Sequence, residues 1–179
     1  MPRLFTGLEI PPDAAFALSL KRGGVHGARW IDPEDYHLTL RYIGDVDHAT
    51  ADEVTHALSR FANGRPFELK VSHLGVFGGN KPHTLHAGIE SFEALNQLHA
   101  SQDRLFQRLG LKPDPRKFTP HVTLARLRDV APQDVARWLG GAGPFVPLSF
   151  SVSRFVLFSS KESVGGGPYI VEEAYPLAA

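Results

Sequence analysis

The sequence predicts an α+β protein of two related lobes, and three observations carry that expectation. The tetrapeptide His37-Leu38-Thr39-Leu40 is echoed by His121-Val122-Thr123-Leu124, 84 residues further on (121 − 37). Ile43-Gly44-Asp45-Val46 and Leu127-Arg128-Asp129-Val130 follow the two motifs at the same offset. Strand-like and helix-like stretches then recur twice in similar order around them. The 179 residues suit one bilobal domain, 1–179, with an internal pseudo-repeat and a sizeable core.

Leu4–Ile10 reads as a first strand, stopped by Pro11-Pro12, and Pro12 fits the first turn of a helix over 13–21 that Gly23-Gly24 ends. A short strand at 28–31 and a turn at 32–35 lead to the first motif strand, 36–43. Period two places His37, Thr39, Arg41 and Ile43 on one of its faces. A helix over 49–62 carries Val54, Leu58 and Phe61 as a buried stripe. A strand over 67–76 and a turn-rich loop at 77–82 precede a strand over 84–90. The longest helix, 92–109, has Leu95, Leu98, Leu105, Phe106 and Leu109 at helical spacing and closes at Gly110. The second motif strand spans 119–127, and a short helix from about Pro132 to Leu139 follows it. The region 145–159 is strand-like with a break near Pro147 or Ser153. Gly165-Gly166-Gly167-Pro168 reads as a hairpin or loop before a last strand at 169–175.

Composition narrows the function classes. Basic and acidic residues balance at 19 each, so no global field recruits long nucleic acid, while a short RNA end or a nucleotide remains compatible. The chain has no cysteine, which removes disulfides, thiolate chemistry and cysteine zinc sites. No stretch approaches a membrane span and nothing reads as a leader, so the expectation is a cytoplasmic monomer. His48, Asp52 and His56 share a helix face, but without a fourth ligand or a general-base glutamate in a known motif they read as a solvated stripe. His83 and His86 read as loop and strand polar residues, with His86 able to line a cleft.

A single strand histidine is ordinarily a surface or satisfied core residue. With 9 histidines and 42% hydrophobic residues, chance supplies roughly 0.06 copies of His-apolar-Thr-apolar, so two copies argue for duplication. Each motif strand buries its apolar residues and presents an imidazole and a hydroxyl. Two such strands facing each other surround one small anion with two imidazoles and two hydroxyls. That is a plausible phosphate site: attack on phosphorus requires a group that takes a proton, one that gives a proton to the departing oxygen, and donors for the non-bridging oxygens. A neutral and a protonated imidazole supply the first two, and Thr39 and Thr123 supply the donors without a metal or other cofactor.

The pair HLTL and HVTL resembles the two signature motifs of the two-histidine (2H) phosphoesterases, most closely the RNA 2′,3′-cyclic phosphodiesterase branch formerly called 2′-5′ RNA ligases. The likeness runs from RLFTGLEIP through ARWIDPEDYHLTLRYIGDV, LGVFG, LHAGIE and FTPHVTLAR to FVLFSS. His86, where the branch more often has an aromatic, and the closing PYIVEEAYPL depart from it. The resemblance implies two lobes, each an antiparallel sheet with outer helices, around a central cleft. It implies a partner that is an RNA 3′ end or nucleotide bearing a 2′,3′-cyclic phosphate, hydrolysed to a 2′-phosphomonoester, with His37 as proton donor and His121 as proton acceptor. It places Arg126 against the nucleoside, although regular alternation points Arg126 away from His121 unless a bulge intervenes. Arg41, which has the parity of His37, and Phe118 are the other substrate-binding candidates. Other readings are a phosphodiesterase for 2′,5′-linked oligonucleotides or for ADP-ribose cyclic phosphate, and a non-catalytic RNA- or nucleotide-binding module.

Overall fold

Alternation along the motif strands sends Leu38 and Leu40, and Val122 and Leu124, into a common core, where each is at most 2% exposed. A computed structural model describes residues 1–61, 64–141, 143–161 and 167–177. Among the described residues it is an α+β fold with four helices and one large antiparallel sheet. In chain order the elements are β1 (Arg3–Glu9), α1 (Pro12–Ser19), β2 (Ala28–Trp30), a 3₁₀ turn (Pro33–Asp35), β3 (His37–Asp45), α2 (His48–Ser59) and β4 (Phe67–Phe77). There follow β5 (Thr84–Ile89), α3 (Glu93–Arg108), β6 (His121–Leu127), α4 (Pro132–Gly141), β7 (Leu148–Val152), β8 (Arg154–Ser160) and β9 (Tyr169–Pro176). The expected elements are present within two residues at most ends. Residue 62 of the second expected helix, and Gly165 and Gly166 of the expected loop, lie outside the described residues.

Local chemistry explains the boundaries. Pro12 opens α1, where a missing N–H costs nothing. The Asp47 carboxylate accepts the Thr50 N–H at 2.7 Å and caps α2. Gly110, at φ 86°, takes the left-handed conformation that ends α3. The strand-like region after α4 breaks at Ser153, between β7 and β8.

The strand order is β7-β4-β5-β6-β3-β1-β8-β9, with β2 pairing β6. The two expected sheets are thus joined edge to edge, and the seam is narrow: β3 and β6 pair antiparallel at Leu38↔Val122. These are the apolar residues inside the two motifs, so the seam puts the motif faces side by side. The helices cover the reverse side, and the first helix of each repeat, α1 and α3, is exchanged between the halves. α3, which follows β5, lies on β3 and β1: Thr6 Oγ1 donates to Gln102 Oε1 at 2.5 Å and His99 Nδ1 donates to the Leu40 carbonyl at 2.7 Å. α2 joins it against β9, where the Tyr175 hydroxyl donates to the Thr55 carbonyl. α1 touches β7 and α4 touches β4 on the other half, and Trp138 Nε1 donates to the Lys21 carbonyl at 3.0 Å to tie these two helices together. Among the described residues no helix is long and apolar enough to cross a membrane.

Candidate active site

A cavity of about 750 Å³ lies over the seam, and His37, Thr39, His121 and Thr123 all line it. Arg126 and Phe118 line it too. Arg41 does not. The reason is a β-bulge that period-two counting cannot see. On β3 the register passes from Gly7↔Thr39 to Thr6↔Arg41, leaving Leu40 as an extra residue. On β6 it passes from His86↔Thr123 to Leu85↔Ala125, leaving Leu124 extra at the same offset of 84 residues (124 − 40). Beyond each bulge the parity inverts. Arg126 therefore turns into the cleft with His121, as the resemblance required. Arg41 turns out of it, and Tyr42 takes the cleft position. Arg41 is 4% exposed, pairs with Asp103 of α3 at 2.6 Å and donates to the Tyr42 and Lys112 carbonyls. Its assignment to substrate binding is corrected: it is a buried strut between β3 and α3.

The two histidines are held alike. His37 Nδ1 donates to the Asp35 carbonyl at 2.9 Å, and His121 Nδ1 donates to the Thr119 carbonyl at 2.7 Å. A carbonyl only accepts, so each ring carries its proton on Nδ1 and leaves Nε2 for chemistry. His37 Nε2 is 3.1 Å from Thr39 Oγ1. Around His37 stand Phe5, Phe158 and Tyr169, with ring centroids at 5.0, 5.4 and 4.8 Å. Around His121 stand Phe77 at 4.8 Å and His86 at 5.4 Å.

His86 does not line the cavity but lies behind it, 6% exposed and stacked on Phe77 at 4.0 Å. By register it stands opposite Thr123, the place in β5 that Gly7, opposite Thr39, holds in β1. Glycine is needed beneath these rings: a Cβ on Gly75 would stand 2.7 Å from His86 Nε2, and one on Gly88 would run into the His73 ring.

Burial pushes the His37 imidazole down to about 4; the His121 and Arg126 charges add to this, against the bond to Asp35. His121 is also lowered, by burial first and then by the Arg126 and Arg116 guanidiniums, against the bond to Thr119. Burial, with His121 and His73, brings His86 down to about 4. Both cleft histidines are thus neutral in the empty site near neutral pH, and an anion between them reverses the electrostatic part of the shift. The kcat/KM profile, which reports free enzyme, is expected to be a bell centred below pH 6.5, the ordinary imidazole value. The kcat profile, which reports the complex, is expected at higher pH. Superimposed profiles would contradict this.

Antiparallel pairing at Leu38↔Val122 also sets an order along the cleft. Arg126, 3.4 Å from Thr84 Oγ1, stands at the end where Ile31 N–H bonds the Leu124 carbonyl. His37 shares the next level with Thr123, and His121 shares the one after with Thr39. Tyr42 and Phe118 stand at the far end. Each histidine therefore faces the threonine of the other motif. Thr39→Val and Thr123→Val are each expected to lower kcat about tenfold or more with a smaller rise in KM, because a hydroxyl aimed at a non-bridging oxygen binds hardest as charge builds. Unchanged kcat in both variants would reduce the threonines to packing. No group of three histidines and carboxylates among the described residues is disposed to hold a metal ion.

Comparison with known proteins gives a consistent picture. The sequence profile described as the 2′-5′ RNA ligase superfamily matches residues 12–163. The RNA 2′,3′-cyclic phosphodiesterase of Geobacillus stearothermophilus is 33% identical over 170 residues, 86% of this chain, and the chain spans 51% of that relative's length. The protein of the same name from Aquifex aeolicus (strain VF5) is 32% identical over 152 residues, 82% of this chain and 81% of its own. Among solved structures, a protein of Thermus thermophilus superimposes with a TM-score of 0.80 at 24% identity, over 98% of this chain and 97% of that one. E. coli LigT complexed with 3′-AMP does so with a TM-score of 0.78 at 22% identity, over the whole of both chains. These structural likenesses show the fold.

Proposed function

Because this chain belongs to the 2′-5′ RNA ligase superfamily of 2H phosphoesterases, and its relatives are RNA 2′,3′-cyclic phosphodiesterases, we propose that it opens 2′,3′-cyclic phosphates at RNA 3′ ends or on nucleotides. Catalysis is by two histidines and needs no metal. The observation that carries this reading is the pair of Nδ1-anchored imidazoles, His37 and His121, facing one cavity with two hydroxyls.

The order along the cleft supports distinct roles. Both ester oxygens of a 2′,3′-cyclic phosphate belong to one ribose, so the whole nucleoside lies on one side of phosphorus. With the nucleoside held at Arg126, the departing oxygen stands beside His37 and the attacking water beside His121. His37 is then the proton donor and His121 the acceptor, in line across phosphorus, and Thr39 and Thr123 donate to the non-bridging oxygens. Breaking the bond to O3′ leaves the phosphate on O2′. We propose further that the chain acts as a cytoplasmic monomer and is one bilobal domain with an internal pseudo-repeat, a reading supported by the matched bulges.

Phosphorus NMR of a 2′,3′-cyclic mononucleotide incubated with the protein in EDTA tests the reading. A 2′-monophosphate is the expected product. Predominant 3′-monophosphate would reverse the nucleoside's orientation, and absence of turnover would end the enzymatic reading.

A further inference from the structure

The Arg126 end of the cleft carries a ring that the hydrolysis just described does not use. His83 lines the cavity beside Arg126 and Thr84. Its backbone is fixed on both sides: its N–H donates to the Phe77 carbonyl at 2.9 Å, and its carbonyl accepts the Leu127 N–H at 2.9 Å. The turn before it is tight, closed by Lys81 N–H on the Gly78 carbonyl, and a Cβ on Gly78 would stand 2.8 Å from the His83 ring. Thr84 pairs with Arg126 across β5 and β6, so His83, level with Leu127, lies one step further from phosphorus than Arg126.

The hydrogens at this end follow from what each group can do. Thr84 is 1% exposed, and its hydroxyl oxygen meets Arg126 Nη1 at 3.4 Å and His83 Nδ1 at 2.8 Å. A guanidinium only donates, so Arg126 takes a lone pair of Thr84 Oγ1. The buried hydroxyl then has one acceptor for its own proton, His83 Nδ1. With Nδ1 accepting, a neutral ring carries its hydrogen on Nε2, which has no partner among the described residues. A doubly protonated ring donates from Nε2 as well. His83 thus offers the outer end of the cleft a fixed N–H donor and no acceptor.

A nucleobase stacked on the Arg126 guanidinium puts the edge remote from its ribose at the level of His83. On that edge the bases divide by chemistry. Guanine O6 and uracil O4 accept a hydrogen bond, whereas adenine and cytosine present amino groups that donate. An N–H donor bonds the first pair and meets the second donor to donor. Resting on the proposed function, we propose that His83, its tautomer set by Thr84, is a specificity-determining residue that reads the base and favours 2′,3′-cyclic phosphates of guanosine and uridine over those of adenosine and cytidine.

The test measures kcat/KM for the four 2′,3′-cyclic mononucleotides and compares guanosine with adenosine and uridine with cytidine. Ring size cancels within each pair, and the folded fraction of the protein cancels in each ratio. Both ratios are expected to be about five to ten in the wild-type chain, the worth of one net hydrogen bond. His83→Ala is expected to bring both to within about twofold of unity. His83→Gln, whose amide can turn either its oxygen or its nitrogen to the base, is expected to lose the preference while keeping more of the rate than His83→Ala. Thr84→Val leaves the ring in place but releases Nδ1, so that the hydrogen can move there and Nε2 can accept. Both ratios are then expected to fall toward unity, a response that a packing role for His83 would not produce. Wild-type ratios near unity, or ratios that favour adenosine and cytidine, overturn the inference, as do ratios unchanged in His83→Ala or in Thr84→Val. Turnover without base preference leaves the proposed function standing, whereas failure to open any of the four overturns that function and this inference with it.

Discussion

His37→Ala and His121→Ala are each expected to lower kcat/KM on a 2′,3′-cyclic nucleotide by about 10²–10⁴-fold, the range for removing a positioned acid or base. Folding is expected to survive, because each ring stands on the cleft face and the core is built from Leu38, Leu40, Val122 and Leu124 on the other. The losses are not expected to add in the double variant. An acid without its base, or a base without its acid, leaves the same residue of catalysis from binding and from the threonines. A near wild-type rate in either single variant would show that the cavity does other work.

Asp103→Ala is expected to be the most damaging change away from the cleft, costing about 2–4 kcal/mol. It strands the Arg41 guanidinium, whose side chain is 5% exposed, without its carboxylate partner. Asp103 is itself 21% exposed, which keeps the cost toward the lower part of the range for breaking a buried pair. Chemical denaturation would read the loss, and activity per folded molecule is expected to stay within about threefold. If Arg41 instead met substrate, the variant would change KM and leave the denaturation midpoint in place.

How far the site could be read from the chain depends on the kind of regularity involved. Alternation and the 84-residue echo located four cavity residues, because a strand face repeats every second residue and nothing interrupts it between His37 and Thr39 or between His121 and Thr123. Arg41 was misplaced and Tyr42 missed for one reason: an extra residue in a strand inverts every later side chain, and no composition rule marks Leu40 as that residue. The echo held the remedy. Carrying the offset back from Arg126 leads to Tyr42, not to Arg41 (126 − 84). The exchange of helices between the sheet halves had no such trace, because it depends on which surfaces meet in space.

That exchange makes the two repeats obligate partners. A polypeptide ending after α2 would keep β1 and β3 but leave the β1 edge without β8 and the β3 edge without β6. Its first helix would have lost the strand it rests on, and α3, which roofs β3, would be on the other piece. Neither half is a module that could be shuffled into another protein, or one that a protease could leave working alone. A lone repeat would carry one of the two cleft histidines and unpaired strand edges. It would complete its sheet, its roof and its acid–base pair only by embracing a second copy. Severed halves are accordingly expected to regain structure when mixed and not when kept apart.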